Sequence, residues 1–296
     1  MNTDNTILMN TDLKHVVIVS GKGGTGKTTL AAGFTKLAEN VVVADCDVDA
    51  ADLHLVLQPE LTQSYPYQGG KKAVIDLAAC TECSLCIDHC RFEAIHYFVV
   101  DSLACEGCGF CYHICPENAV RMEEVTSGYY HENVFSGGEL VDAVLEPGEG
   151  NSGKLVVEVK KRAKIIAEQK MHNWLLIDGP PGIGCPVNAS LAGVDAAIVI
   201  TEPTVSGLHD LERIVQLLQR FRMPAKIVIN KYDINPQMTA RIHQYALERN
   251  MEIAGTIPFD ENVDQALLNG KSIVEYPDSP AAKEISKIWQ KVFQTN

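Results

Sequence analysis

The amino-acid sequence predicts an α/β fold in which a mostly parallel β-sheet is covered by helices on both faces. Short β-branched apolar runs alternate with helical patterns near both ends of the chain, which is typical of such sheets. The 296 residues are 46% hydrophobic and 21% charged, which is an ordinary globular composition. This length suits about two domains.

The first elements of the sheet are predicted between residues 15 and 58. His15–Ser20 is a β-branched run, and a glycine-rich turn leads from it into a helix over Gly26–Glu39. A buried strand at Val41–Ala44 and a short helix at Ala50–Leu57 follow. Together they predict a strand–turn–helix–strand–helix unit.

The same alternation resumes at Trp174 and continues to the C-terminus. Helices are predicted at Gly207–Phe221 and Pro236–Arg249, and two more helices close the chain. The predicted strands are Trp174–Asp178, Ala196–Pro203, Ala225–Asn230 and Glu252–Pro258.

Residues 60–133 interrupt this alternation with eight cysteines in two similar halves. We therefore predict an inserted domain over 60–133, and a surrounding domain formed by 14–59 and 134–296. The polar, self-repeating residues 1–13 are predicted to be a disordered tail.

Residues 134–172 are interpreted as a return path from the inserted domain to the sheet. Gly148–Lys154 is a cluster of turn-forming residues. The following LVVEV sequence is predicted to begin as a strand and then continue into a helix.

Acidic residues outnumber basic ones by 38 to 25, which gives a formal net charge of −13. This balance disfavours binding to nucleic acids or anionic membranes. No apolar run approaches the ~18 residues of a membrane-spanning helix. The polar N-terminus does not have the pattern of a signal peptide, so we expect a cytoplasmic protein with reduced thiols, and the clustered cysteines are interpreted as metal ligands.

The last predicted helix has an apolar stripe, with lysines on its other faces. We interpret this stripe as a face packed on the sheet rather than a membrane anchor, because the whole chain is acidic. Its apolar residues are Ile285, Ile288, Trp289, Val292 and Phe293.

Residues Gly21–Thr28 fit the phosphate-binding pattern G-x4-G-K-[ST] between a predicted strand and a predicted helix. Glycines let backbone N–H groups turn towards an anion, and the helix N-terminus adds partial positive charge. In this pattern Lys27 neutralises β- and γ-phosphate oxygens, and the Thr28 hydroxyl coordinates Mg²⁺. The predicted nucleotide-binding residues of the loop are Gly21, Lys22, Gly23, Gly24, Thr25, Gly26, Lys27, Thr28 and Thr29.

Asp178 ends the apolar WLLID strand and precedes a Gly-Pro-Pro-Gly loop. In phosphate-loop enzymes, a carboxylate at this place helps to hold Mg²⁺. The glycines and prolines that follow it indicate a switch loop. The sequence therefore predicts a Mg²⁺-nucleotide site that includes Asp178.

Eight cysteines repeat one spacing twice, C-x2-C-x2-C-x3-C, and a proline follows the second run only. This is the bacterial ferredoxin pattern, in which three closely spaced cysteines bind one [4Fe–4S] cube and the fourth binds the other. Zinc is the alternative, although four-cysteine zinc sites use pairs of C-x2-C rather than triplets. One predicted set is Cys80, Cys83, Cys86 and Cys115, and the other is Cys90, Cys105, Cys108 and Cys111.

Four motifs of the chain resemble those of the MinD/Mrp group of P-loop ATPases, which includes the nitrogenase iron protein. They are Gly21–Thr29, Ala44–Leu53, Leu175–Gly184 and Val228–Asp233. The resemblance implies that two copies of the chain form an ATP-dependent homodimer with the nucleotide between them.

The resemblance also implies roles for individual residues. Lys22 reaches the phosphates of the partner subunit, and Asp47 positions the attacking water. Asp45 lies near the metal, and Gly182 senses the γ-phosphate. The candidate catalytic residues are therefore Lys22, Lys27, Asp47 and Asp178.

The choice of base depends on Asn230–Asp233, whose N-K-x-D form reads guanine in Ras-like GTPases. In the group that the chain resembles, the matching asparagine contacts adenine and an I-P-x-D segment completes the pocket. Ile257–Asp260 has that form here, so ATP is favoured. The predicted base-binding residues are Asn230, Lys231, Pro258 and Asp260.

With both parts joined, residues 15–293 resemble MinD-superfamily ATPases that carry an inserted ferredoxin domain. We expect an ATP-driven switch coupled to electron transfer, acting on an unidentified redox or client protein. The alternatives are a carrier for iron–sulfur or metal-centre maturation, and a MinD-like positioning ATPase with structural or sensory clusters. Cys185 matches a cluster-ligating cysteine of the nitrogenase iron protein, although a packing role is favoured.

Overall fold

The computed structural model describes residues 13–150 and 152–293. The predicted tail therefore lies outside the described residues, except for Leu13. This leucine packs against one of the two hydrophobic cores.

The described residues form eleven strands and ten α-helices, together with a 3-10 turn at Ile273–Glu275. The strands are β1 (Lys14–Ser20), β2 (Val41–Asp45), β3 (Glu60–Ile75), β4 (Ile95–His96), β5 (Val99–Val100), β6 (Val120–Phe135), β7 (Gly138–Leu145), β8 (Trp174–Pro181), β9 (Ala196–Thr201), β10 (Ala225–Asn230) and β11 (Glu252–Ile257). The helices are α1 (Lys27–Leu37), α2 (Leu53–Leu57), α3 (Leu85–Asp88), α4 (Phe110–Ile114), α5 (Ser152–Gln169), α6 (Cys185–Leu191), α7 (Val205–Arg220), α8 (Pro236–Glu248), α9 (Asn262–Leu268) and α10 (Pro280–Phe293).

Nine of these strands form one sheet in the order β11-β10-β9-β1-β8-β2-β7-β6-β3. The strands from β11 to β7 are parallel, while β6 is antiparallel to both β7 and β3. The predicted α/β fold with a mostly parallel sheet is confirmed.

Two hydrophobic cores lie on opposite faces of this sheet, because successive strand residues point to opposite sides. Val17 and Val19 of β1 belong to the core covered by α5, α7 and α8. Val16 and Ile18 belong to the core covered by α1 and α10. The helices thus cover both faces, as predicted.

The apolar stripe of α10 is buried in the second core. Ile285, Ile288 and Trp289 are at most 4% exposed, and Trp289 stacks on Phe293. In the described part of the chain, no helix is long and apolar enough to cross a membrane.

The cysteine-rich segment is joined to the sheet by two long strands rather than by flexible linkers. Each of β3 and β6 has 16 residues, and they pair from Glu60 opposite Val134 to Ile75 opposite Val120. Residues 76–119 lie between the paired ends. The region predicted as an inserted domain therefore contributes two strands to the main sheet.

Two expectations for residues 134–172 were wrong. Residues 138–145 are not a return path but form β7, which pairs in parallel with β2. The LVVEV sequence is helical from its start, because Leu155, Val156 and Val159 are buried at helical spacing within α5.

Candidate functional site

The loop between β1 and α1 lies at the carboxyl ends of the central parallel strands. Gly26 precedes α1 with φ 90°, and a Cβ atom built there would lie 2.3 Å from Asn230 Nδ2. The Asn230 amide donates to the Thr25 carbonyl at 2.9 Å. Only glycine therefore fits at position 26, where the loop meets the end of β10.

A cavity of 670 Å³ extends from this loop towards α9 and α10. Most of the predicted nucleotide-binding residues line it, namely Gly23, Gly24, Gly26, Lys27, Thr28, Thr29, Asp47, Asn230, Lys231, Pro258 and Asp260. Thr25, Asp45 and Asp178 are buried beneath it. Gly21, Lys22 and Gly182 do not line the cavity.

The side chain of Lys27 is buried among three carboxylates. Its Nζ atom lies 3.4 Å from Asp47 Oδ2 and 3.7 Å from Asp178 Oδ1. Burial lowers the pKa of Lys27, but the charges of Asp178, Asp47 and Asp45 outweigh burial and raise it. Lys27 is therefore a fixed positive charge at the floor of the loop.

Asp45 and Asp178 face each other from neighbouring strands β2 and β8. Both are 1% exposed, and burial raises the pKa of each carboxyl group. Asp45 accepts hydrogen bonds from the backbone N–H groups of Asp47 and Leu53. Among the described residues, no donor makes a hydrogen bond of 3.5 Å or less to either oxygen of Asp178, and its nearby cationic group is Lys27 at 3.7 Å.

This arrangement fits a bound Mg²⁺ ion. Two adjacent buried carboxyl groups are costly to ionise together, and a divalent cation relieves that cost. The Asp178 oxygens would accept hydrogen bonds from the water shell of the ion, and the Thr28 hydroxyl, which lies beside Asp178, would be its second protein group.

The cysteines of the two predicted sets line two neighbouring cavities beside α3. Cys90, Cys105, Cys108 and Cys111 line a cavity of 370 Å³ between α3 and α4, and Cys86 of the other set also lines it. Cys80, Cys83, Cys86 and Cys115 line a narrower cavity together with Ile75, Phe98 and Val120. Each cavity thus contains all four cysteines of one predicted set, including its crossed fourth cysteine, while Cys86 lines both cavities.

The two halves of the cysteine segment repeat at an interval of 25 residues, as in Cys80 and Cys105. Ser84 and Gly109 precede α3 and α4 with φ 65° and 73°. Ala94 N–H donates to Cys90 Sγ at 3.4 Å, and Ala119 N–H donates to Cys115 Sγ at 3.3 Å. Such bonds stabilise thiolates and tune the potential of a cluster.

The described residues contain no group of three or more His, Cys, Asp and Glu side chains arranged around a single metal ion. A [4Fe–4S] cube has a different requirement, because each thiolate binds a different iron atom. Four thiols around an apolar cavity fit that requirement. The chemistry of both cysteine cavities therefore suits a cluster.

Comparisons with known proteins agree with this geometry. Residues 16–273 match the family model described as the CobQ/CobB/MinD/ParA nucleotide binding domain. The chain belongs to this nucleotide-binding family. It is accordingly a MinD/ParA-type P-loop ATPase, whose site suits ATP and Mg²⁺.

Individual relatives extend over nearly the whole chain. An uncharacterised protein of Methanocaldococcus jannaschii is 32% identical over 95% of this chain and 96% of its own length. An iron–sulfur cluster carrier protein of Pyrococcus abyssi is 24% identical, with 94% and 84% covered. The structure of MinD from Pyrococcus horikoshii with Mg-ADP aligns with a TM-score of 0.58 and 19% identity, covering 95% of this chain and 96% of that one.

One feature of the MinD/ParA-type site was missed from the sequence. Lys22 Nζ lies 2.6 Å from Glu202 Oε1 and 3.1 Å from Ser206 Oγ. Glu202 follows β9 in the T-E-P sequence, so an acidic residue at the carboxyl end of a parallel strand was the available signal. In this state Lys22 contacts its own subunit.

The side chains of Asp260 and Asn230, two of the predicted base-binding residues, both have hydrogen-bond partners within the chain. Asp260 accepts hydrogen bonds from the Ser279 hydroxyl and from Asn262 and Ala281. Asn230 donates to Thr25 and accepts from the Lys231 N–H. Both residues therefore shape the cavity wall through contacts within the chain.

Proposed function

We propose that the chain is an ATP-dependent dimeric switch that controls electron transfer through two [4Fe–4S] clusters. The observation that carries this proposal is the pair of neighbouring cavities beside α3, one lined by Cys80, Cys83, Cys86 and Cys115 and the other by Cys90, Cys105, Cys108 and Cys111 together with Cys86. The same chain holds a P-loop ATPase site. The presence of an ATPase site and two cluster sites in one chain is explained if nucleotide binding changes electron transfer from the clusters.

The eight cysteines of the two cavities would hold the clusters as thiolates, and each cluster supplies one-electron transfer when bound. Backbone N–H groups already point at Cys80, Cys90 and Cys115. Cys83 and Cys108 are exposed, so each set has one residue at the protein surface. This placement suits electron exchange with another protein.

At the nucleotide site, Lys27 would bind phosphate oxygens, and Asp178 and Thr28 would hold Mg²⁺, which supplies charge for phosphoryl transfer when it is bound. Asp47 points into the same cavity, where it orients the attacking water. Lys22 leaves Glu202 and reaches the phosphates of the second subunit. Hydrolysis is expected to be slow until the dimer or a partner stimulates it.

The decisive experiment is an anaerobic preparation with iron analysis and redox titration by electron paramagnetic resonance. Two [4Fe–4S] clusters correspond to eight iron atoms per chain. A non-hydrolysable ATP analogue is expected to shift at least one midpoint potential by about 59 mV, a tenfold change for one electron. Two unchanged potentials would contradict the redox switch.

The dimer is tested separately with Lys22→Ala. This variant is expected to bind ATP but to remain monomeric in light scattering when ATP is added, because it lacks the charge that crosses the interface. Glu202→Gln is the matched variant, since it frees Lys22 and is expected to favour dimerisation. Unaltered turnover and dimerisation in Lys22→Ala would contradict the sandwich arrangement.

A carrier of iron–sulfur clusters is the second candidate function. It is favoured by the similarity to an iron–sulfur cluster carrier protein over 94% of the chain. The exposed residues Cys83 and Cys108 also suit release of a cluster. Transfer of iron and sulfide to an apo-ferredoxin, accelerated by ATP, would support this function over the redox switch.

A further inference from the structure

We propose that the buried ion pair between Lys72 and Glu149 transmits the nucleotide state from the switch loop to the cysteine segment, through α5 and α6. Lys72 is thus a positioning residue between the two sites. This inference rests on the proposed coupling of nucleotide and clusters, and it names the contact that carries the coupling.

Lys72 joins three separate parts of the chain. It lies on β3, and its Nζ atom is 2.7 Å from Glu149 Oε1 and donates to the Ser102 carbonyl at 2.6 Å. Ser102 lies three residues before Cys105, and Glu149 lies three residues before α5. The side chains of Lys72 and Glu149 are 10% and 15% exposed, so water screens this pair little.

The cysteine loop is also packed tightly on this part of β3. A Cβ atom at Gly107 would lie 2.0 Å from the Lys71 carbonyl oxygen. Gly107 has φ 63° and lies between Cys105 and Cys108, in the loop that lines the larger cysteine cavity. A displacement of β3 at Lys71 and Lys72 therefore displaces the cysteine loop.

On the other side of Glu149, α5 and α6 pack as a unit. The Lys160 ammonium on α5 donates to the carbonyls of Ala189, Ser190 and Ala192 at 2.6–2.8 Å, which caps the end of α6. At the start of α5, a Cβ built at Gly153 would lie 3.4 Å from Cys185 Cβ. Contacts at both ends of α6 make the two helices move together.

The start of α6 is part of the nucleotide site. Pro186 lines the 670 Å³ cavity together with Pro180 and Pro181. The Gly182 N–H donates to the Ser20 carbonyl directly before the phosphate loop. A switch loop that moves on nucleotide binding therefore moves α6, and through α5 it moves Glu149.

A buried ion pair suits this role better than an apolar contact. Removal of one partner leaves a buried charge without compensation, which makes intermediate positions unfavourable. Most of the other ion pairs, such as Lys226–Glu252 between β10 and β11, have a more exposed partner. Lys226 and Glu252 thus provide a control ion pair that lies outside the proposed route.

The test compares wild type with Glu149→Gln, Lys72→Met, the double variant and the control Lys226→Met, all with intact clusters. Midpoint potentials are measured with and without a non-hydrolysable ATP analogue. We expect a tenfold effect in wild type and Lys226→Met, about 59 mV for one electron, and less than a twofold effect in the other three. Basal ATP hydrolysis is expected to be unchanged.

Linkage provides a second measurement on the same proteins. Reduction of the clusters must change the affinity for the analogue by the same factor by which the analogue changes the potential. We expect the dissociation constants of oxidised and reduced wild type to differ tenfold, and those of Glu149→Gln to differ less than twofold. Hydrogen exchange in residues 76–119 is expected to respond to the analogue in wild type and in Lys226→Met, but not in the other three variants.

The outcomes separate the two proposals. A full shift in both wild type and Glu149→Gln overturns the Lys72–Glu149 route but leaves the redox switch standing. No shift in wild type overturns the redox switch and the route together. If Lys72→Met loses iron, the Lys72–Glu149 route is tested with Glu149→Gln alone, because this variant keeps the hydrogen bond from Lys72 to Ser102.

Discussion

The nucleotide site and the cysteine segment belong to one chain but are held in place differently. The phosphate loop is fixed by the ends of parallel strands, and Val17, Val19 and Ile177 below it are fully buried. In residues 76–119, the buried side chains are Cys86, Ala94, Ile95 and Ala119. The first region has a large core, while the second has almost none.

This difference has a consequence for stability. A segment that buries little apolar surface does not gain enough free energy to offset its conformational entropy. Metal ligation supplies the missing free energy in small domains of this kind. We therefore expect the nucleotide site to persist without clusters and the cysteine segment to depend on them.

The largest effect is expected for Lys27→Ala, which removes the buried positive charge of the phosphate loop. ATP hydrolysis should fall by roughly 10²–10³-fold in a steady-state assay. The iron content should stay at the wild-type level, because Lys27 lines neither of the cysteine cavities. Lys36→Ala, a lysine in the last turn of α1, is the control. Loss of iron in Lys27→Ala would contradict the view that the nucleotide site and the cysteine segment are stabilised independently.

Removal of iron by a chelator under oxidising conditions should unfold residues 76–119 only. Amide hydrogen exchange there is expected to rise at least about tenfold, while β1 and β8 keep their protection. Binding of ATP should persist, as measured by calorimetry. Unchanged exchange in 76–119 would mean that the segment folds without its clusters.

Gly26→Ala should destabilise the protein by about 2–4 kcal/mol, measured as a lower urea midpoint at constant slope. The added Cβ lies 2.3 Å from Asn230 Nδ2, and φ is 90°. At Gly23 nothing lies within 4 Å of an added Cβ. Gly23→Ala should therefore change the stability by less than about 0.5 kcal/mol. Equal effects would argue against a rigid phosphate loop.

The smallest effect is expected for Asp260→Asn. Burial raises the pKa of Asp260, but hydrogen bonds from Ser279, Asn262 and Ala281 lower the pKa below the ordinary value of an aspartate overall. A depressed pKa contributes stability above the unfolded value, and this contribution is lost as the pH falls through the folded value. The variant should lose about 0.5–1.5 kcal/mol at pH 7 and less at pH 3. A constant difference in urea unfolding would refute this role.

Much of the sheet was predictable because its central strands are continuous apolar runs. Ala225–Asn230 was predicted with the bounds that it has in β10. In contrast, β7 was missed because Glu139 and Asp142 interrupt its apolar run. Their charges are accommodated by Lys170, His172 and Asn133, which lie far away in the sequence or on another strand.

The phosphate loop and the two cysteine runs have fixed spacings, so local sequence was enough to identify both motifs, while the assignment of the cysteines to two clusters stays a prediction. The partners of Lys22 and Lys72 were not predictable in this way. Glu202 and Glu149 are separated from them by 180 and 77 residues, and only the strand order brings each pair together. Contacts of this kind depend on topology rather than on a motif.

The paired ends of β3 and β6, between which residues 76–119 are inserted, also have a consequence for protein engineering. Ile75 and Val120 are paired neighbours in the ladder, so the 44 residues between them start and end at almost the same place. A two-residue turn in their place would convert β3 and β6 into a plain hairpin and leave every strand of the main sheet paired. The paired ends of β3 and β6 are thus a suitable insertion site. Other compact segments with adjacent termini are candidates for insertion there, and each would be linked to the same ATPase domain.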